Sequence, residues 1–186
     1  MLSTNSNFWM KILDCPSYSK IQSEISAWLI PQLDYYKQRS YYFEHINHID
    51  VLVASPTLLK WLTSLNVGPI RKAALIIIEP KLEAGIHTDT QVNDLALNIG
   101  IQTLNTHTVL YEMIDGTPYI HTMATGNTLT MYDNCKLNIH STYDLIDNPV
   151  IFNTKQLHQI INPTDNWRLS ISLRFEKDPW HLTTDC

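Results

Sequence analysis

The chain has 186 residues, 44% of them hydrophobic and 17% charged, with a formal net charge of −5. This length suits one domain with a sizeable core and scarcely two, and five Trp and nine Tyr argue against disorder. The acidic balance argues against a general affinity for nucleic acid and leaves a local basic patch open.

Cys15, Cys135 and Cys186 are far apart and lack zinc-ligand spacing, so they read as free thiols of a reducing compartment. The first residues lack a basic start followed by a long apolar run, so no signal peptide is expected. The most apolar stretch, "AALIIIEP" at 73–80, is too short to span a bilayer and reads as a strand buried on both faces. The expectation is a soluble, cytoplasmic protein without membrane contact. Oligomeric state has no sequence signature here.

The first third reads as helical. Residues 17–38 carry Ile21, Ile25, Trp28 and Leu29 at helical spacing, and Pro31 kinks or ends that helix. Residues 55–68 open with Ser55 as an N-cap and Pro56 at the first helical position, and Gly68 is a stop signal. After Arg71 come short runs rich in Val, Ile, Leu, Thr and Tyr: "ALIIIE", "DLALNIGIQ", "HTVLYEM", "TLTMYD", "PVIFNT", "QLHQIIN" and "RLSISLRF". Turn signals such as Asp115-Gly116 and Asn162-Pro163 separate them.

About eight short strands without intervening helices predict a sandwich or barrel. The expected fold is mainly β with N-terminal helices, a double-stranded β-helix (a small, cupin-like jelly roll), with other eight-stranded sandwiches fitting the same pattern. The expected organisation is a single domain over 1–186: helical support at 1–70, β core at 71–176 and a tail at 177–186.

Two strands alternate strictly, the mark of a half-buried strand. Residues 168–175 place Leu169, Ile171, Leu173 and Phe175 on one face and Arg168, Ser170, Ser172 and Arg174 on the other. Residues 94–102 place Leu95, Leu97, Ile99 and Ile101 opposite Ala96, Asn98, Gly100 and Gln102. The polar faces suit a wet cavity or plain solvent. Asn98 and Gln102 are candidates to line such a cavity, Asn98 as a contact to co-substrate or substrate. Arg174 reads as a solvated charge, or as a guide for an acidic substrate at the cavity mouth.

His87-Thr88-Asp89 puts an imidazole and a carboxylate two apart on a strand, facing the same way. Chance alone supplies about 0.5 His-x-Asp pairs in a chain of this composition, so the pair needs context. His158 follows on a predicted strand, then Arg168 and Ser170. Two imidazoles and one carboxylate form the facial triad of non-haem Fe(II) sites, with open positions opposite. A 2-oxoglutarate co-substrate fills two of those positions through its 2-oxo acid end and leaves one for O2. Its far carboxylate needs a cation, and arginine pairs with carboxylate in bidentate fashion and keeps its charge. A serine two residues along the same face adds a hydrogen bond. A rival cluster, His45, His48 and Asp50, has no arginine following a distal histidine, and it reads as polar residues on a loop or strand end.

On "HTD" at 87–89, His158 and "RLS" at 168–170, the sequence resembles the Fe(II)/2-oxoglutarate-dependent oxygenase superfamily. The resemblance spans about residues 71–176. "LNIGIQ" and "HQIINPTDNWRLSISLRF" are similar to members that hydroxylate amino-acid side chains, among them aspartyl/asparaginyl and prolyl hydroxylase-like groups. The resemblance implies a double-stranded β-helix, Fe(II), 2-oxoglutarate and O2, with release of succinate and CO2. It implies His87, Asp89 and His158 as iron ligands, and Arg168 and Ser170 as contacts to the 2-oxoglutarate carboxylate. Related halogenases carry a small residue at the position of Asp89, so this carboxylate favours hydroxylation, or another oxidation of the same class, over halogenation. The expected substrate is a peptide, an amino acid or another small molecule. The alternatives are a non-catalytic jelly-roll binding module and a cupin-type metalloprotein that does not use 2-oxoglutarate.

Overall fold

The computed structural model describes residues 8–39, 43–89, 93–122 and 128–184. The first part of the chain contributes β1 (Met10–Ile12), α1 (Tyr18–Leu29), α2 (Leu33–Arg39), β2 (Phe43–Ile46), α3 (His48–Ala54) and α4 (Pro56–Ser64). There follow β3 (Ile70–Ile78), β4 (Leu82–Glu83), β5 (His87–Asp89), β6 (Leu95–Gln102), β7 (His107–Asp115) and β8 (Tyr119–Thr122). Last come β9 (Thr128–Met131), β10 (Lys136–Tyr143), β11 (Val150–Asn153), β12 (Leu157–Asn162) and β13 (Arg168–Phe175). Among the described residues no helix is long and apolar enough to cross a membrane.

The strands form two antiparallel sheets. One runs β1-β11-β6-β13-β3-β2; the other runs β10-β7-β12-β5-β9-β8, with β4 joined to β12. The fold is the expected double-stranded β-helix with helices at its N-terminal end. All seven predicted runs are strands. More strands are present than the eight expected, because β8 and β10 expose most of their residues and lack an apolar run. The N-terminal third also gives up two strands to the first sheet, β1 against β11 and β2 against β3.

Tyr18, Ile21, Ile25 and Leu29 form the buried stripe of α1. Pro31 lies in a single 3-10 turn, Ile30–Gln32, that separates α1 from α2. Ser55 caps α4 by accepting from Leu58 N at 3.2 Å, and its hydroxyl donates to Glu24 Oε2 at 2.6 Å. Thr57 adds a bond to Glu24 Oε1 at 2.7 Å, so one carboxylate of α1 holds the start of α4. The helix ends at Ser64, before Gly68, and the turn uses Asn66 and Gly68, both with positive φ.

The main core lies between these helices and the outer face of the first sheet. It contains Ile21, Ile25, Leu29, Val51 and Leu58 from the helices and Leu95, Leu97, Ile99, Leu169, Ile171, Leu173 and Phe175 from β6 and β13. β13 is therefore buried on both faces, not half-buried as its alternation predicts. Its apolar face meets helices, and its polar face meets the gap between the sheets. A smaller cluster, with Ala96, Leu110, Tyr143, Leu145, Val150 and Phe152, closes part of that gap. The remainder is a cavity of about 380 Å³.

His45 lies on β2, whereas His48 and Asp50 form the first turn of α3, capped by Asn47, whose Oδ1 accepts from Ile49 N at 3.1 Å. The expected loop or strand end is thus a helix start. The Asn cap leaves the first turn of α3 polar, which conceals its short helix from periodicity. Gln102 is exposed and donates to Trp167 O at 2.8 Å, so it does not line the cavity.

Candidate metal centre

Strand register builds the centre. β5 crosses between β12 and β9, and its one pairing with β12 sets His87 directly opposite His158. Directly paired residues point to the same face, as do residues two apart on one strand. His87, Asp89 and His158 therefore converge into the gap between the sheets. Their donor atoms all lie within 4.8 Å of one another, and this is the one such group of three His, Cys, Asp or Glu among the described residues. The His45, His48 and Asp50 set makes no comparable cluster.

The side chains are held for ligation. His87 Nδ1 donates to Gly85 O at 2.8 Å and His158 Nδ1 to Gln156 O at 2.9 Å. A carbonyl only accepts, so each Nδ1 carries a hydrogen, and in the neutral ring that leaves Nε2 with a bare lone pair. Those Nε2 atoms stand 3.6 Å and 4.0 Å from Asp89 Oδ1. Two donors about 2.1 Å from a shared ion stand about 3.0 Å apart at a right angle and about 3.4 Å at the tetrahedral angle. The set thus fits one small cation after modest closure. Two imidazoles with one carboxylate match non-haem iron better than calcium or magnesium, which take oxygen donors.

Burial, then the neighbouring His87, pushes the His158 imidazole down to about 4, so it is neutral and available to a metal at neutral pH. Phe152 stands edge-on to its ring at 5.1 Å and shields it. Burial alone would raise Asp89. Arg174 and the two imidazoles outweigh it and hold the carboxyl below the usual range.

Arg174 is the residue that sequence reasoning misjudged. It is 6% exposed rather than solvated. Its Nη2 donates to Asp89 Oδ2, and its Nη1 donates to Thr154 Oγ1 at 3.1 Å. The first sheet thereby grips the free carboxylate oxygen of the second. The signal available was Arg174's place on the same polar face as Arg168 and Ser170, but distance along the strand argued for solvent.

Asn98 and Ser172, paired across β6 and β13, line the cavity together with Tyr143 and Thr108. Asn98 Oδ1 is buried without a hydrogen-bond partner among the described residues, and the buried Tyr143 hydroxyl has Thr108 and Asn98 as its polar neighbours. Arg168 and Ser170 lie on the same face of β13, beyond the residues that line the cavity. Arg168 is 2% exposed, and its Nη1 donates to Ser170 Oγ at 3.1 Å. Its Nε has no partner, and no carboxylate pairs with it among the described residues. Burial lowers its guanidinium to about 10, against the pull of Tyr143 and Tyr18, so it remains charged at neutral pH.

Apolar side chains complete the cavity: Phe43, Ile76, Leu129, Met131, Phe152 and Ile160. His121, for which the sequence offers no partner pattern, also lines it.

No family model matches the sequence, and no curated protein matches it. Solved structures do resemble it. The non-heme alpha ketoglutarate dependent carbocyclase SnoK from nogalamycin biosynthesis is 9% identical over 89% of this chain and 79% of its own, with a TM-score of 0.53. AviO1 from Streptomyces viridochromogenes Tue57 is 16% identical over 89% of this chain and 88% of its own, with a TM-score of 0.48. The epimerase SnoN, in a complex with Fe3+, alpha ketoglutarate and nogalamycin RO, is 12% identical over 81% of this chain and 73% of its own, with a TM-score of 0.47. The SnoK alignment shows a shared fold.

Proposed function

We propose that this chain is a non-haem Fe(II)- and 2-oxoglutarate-dependent oxygenase that hydroxylates an amino-acid side chain or another small metabolite. The observation that carries the reading is Arg168. A buried guanidinium whose one partner among the described residues is a hydroxyl is costly unless an anion joins it. It lies on the same strand face as Arg174, whose other end reaches the His-Asp-His cluster. The polar face between them suits a ligand with a metal-binding group at one end and a carboxylate at the other.

In this reading His87, Asp89 and His158 hold the iron through Nε2, Oδ1 and Nε2. Arg168 takes the far carboxylate of 2-oxoglutarate, with Ser170 orienting the guanidinium. The co-substrate offers acceptors only, so in this reading its donors here are the Tyr143 hydroxyl and the amide nitrogen of Asn98. The chemistry supplied on binding is oxidation of a substrate C–H bond, coupled to conversion of 2-oxoglutarate and O2 to succinate and CO2. The apolar cavity wall orients the substrate and excludes water from that chemistry.

The test is anaerobic addition of Fe(II) and 2-oxoglutarate, watched for a weak visible metal-to-ligand charge-transfer band. A band that His87→Ala and Arg168→Ala each abolish supports the reading. Its absence in folded, iron-loaded protein overturns it in favour of a binding module or a metalloprotein that does not use 2-oxoglutarate.

A further inference from the structure

Lys72 is the cross-strand partner of Arg174, on the face of β3 whose Ile76 and Ile78 line the cavity. Its Nζ lies 5.5 Å from the ring centroid of Phe43, a half-buried cavity residue. His45, from the same strand as Phe43, stands edge-on to that ring at 4.9 Å. Arg174 is committed to Asp89, whereas Lys72 has no carboxylate partner among the described residues. Burial and the adjacent Arg174 press its ammonium below the ordinary lysine range. Among the described residues Asp89 is the one acidic residue that lines the cavity. Arg174, the one Arg or Lys among the described cavity-lining residues, is thus matched by Asp89, and Lys72 beside it adds a charge with no carboxylate against it. A metal dication and a 2-oxoglutarate dianion offset each other, so positive charge is left over where Lys72 stands.

We propose that the substrate is a small, mainly apolar carboxylic acid, whose carboxylate Lys72 takes at the edge of the cavity while its body lies against Phe43, Ile76 and Leu129. The fate of that acid rests on the oxygenase reading; its recognition by Lys72 does not. Apolar contact supplies most of the affinity, and the charge fixes which end enters. A neutral analogue leaves the ammonium without an anion and is discriminated against.

The test compares 3-phenylpropanoate with 3-phenylpropanamide by ligand-observed NMR on Mn(II)-loaded protein, with and without saturating 2-oxoglutarate. The acid is expected to bind about tenfold more tightly than the amide. Lys72→Gln should remove that preference and leave the amide unchanged, and Lys72→Arg should keep it even if the Gln variant folds poorly. Equal binding of acid and amide, no acid binding up to the millimolar range, or acid binding indifferent to Lys72→Gln each overturns the proposal. Loss of acid binding in Arg168→Gln but not in Lys72→Gln also overturns it, because the acid then sits in the co-substrate slot. A charge-transfer band retained in Lys72→Gln separates failure here from failure of the oxygenase reading. If wild type gives no band, the measurement without 2-oxoglutarate still decides the Lys72 claim.

Discussion

Arg174 and Asp89 form an ion pair across the gap between the two sheets: Nη2 of the arginine donates to Oδ2, and Oδ1 is left facing both imidazoles. The arginine therefore decides which carboxylate oxygen a metal meets. Groups that orient metal ligands in this way typically contribute about 10–100-fold to metal affinity. Arg174→Ala is expected to weaken Mn(II) or Co(II) binding by that order, measured by calorimetric titration, and to change the Co(II) visible spectrum. The Arg174→Lys variant should recover part of the affinity. Unchanged metal affinity and spectrum in the Ala variant would reduce Arg174 to a structural role.

Arg168 makes an opposite kind of prediction. Its buried charge costs the unliganded protein stability, since Ser170 Oγ offers one hydrogen bond and no counter-charge. Replacing buried ionic groups by apolar residues of similar size is often neutral or stabilising, by about 1–4 kcal/mol. Arg168→Met is therefore expected to unfold at equal or higher urea concentration than wild type, while stabilisation by added 2-oxoglutarate disappears. A variant that loses stability and still responds to 2-oxoglutarate would assign Arg168 to packing.

His158 gives the metal-free protein an acid limit. The imidazole titrates near 6.5 when unfolded and about 4 when folded, because burial penalises its charge. Between those values the unfolded chain binds more protons, so stability falls as pH drops through 6.5 towards 4. The lowered Asp89 carboxyl works in the same direction at lower pH. Urea unfolding at a series of pH values should show this slope, and His158→Gln should flatten its upper part. A slope unchanged by that substitution would place the acid sensitivity elsewhere.

Much of the fold was legible because apolar runs and turn residues mark strands whichever sheet they join, as in Leu95–Gln102 and Arg168–Phe175. Lys136–Tyr143 was not, since its outward face carries polar and charged residues and shows no apolar run. The His87–Asp89 spacing could be read from strand geometry alone, and the convergence of His158 on it depends on one cross-strand pair. The role of Arg174 was hidden for a physical reason. A charge near a strand end faces solvent by default, and only the apposition of a second sheet, bringing Asp89 and Thr154 to it, makes it an inward residue. His48 and Asp50 mimicked a ligand pair because an Asn-capped helix start is also polar.

Gly100 ties β6 to the helical layer and has no room for a side chain. It lies opposite Ser170 on β6, and its N–H donates to the Tyr18 hydroxyl at 2.7 Å, which in turn donates to Leu145 O at 3.0 Å. A Cβ at position 100 would stand 2.4 Å from Leu145 O and 2.7 Å from Leu145 Cβ. The first of those is a backbone atom, so relief requires moving the chain rather than turning a rotamer. Overpacking of this kind costs about 1–3 kcal/mol. Gly100→Ala is expected to lower the urea midpoint accordingly and to weaken 2-oxoglutarate, since the displaced strand carries Asn98 and pairs with the strand of Ser170. Tyr18→Phe provides the control: it removes the hydroxyl link without adding volume, costs about 1–3 kcal/mol through the unsatisfied Gly100 N–H, and should leave 2-oxoglutarate binding nearly intact. If Gly100→Ala matches wild type in both measurements, the close approach of Leu145 does not constrain the site.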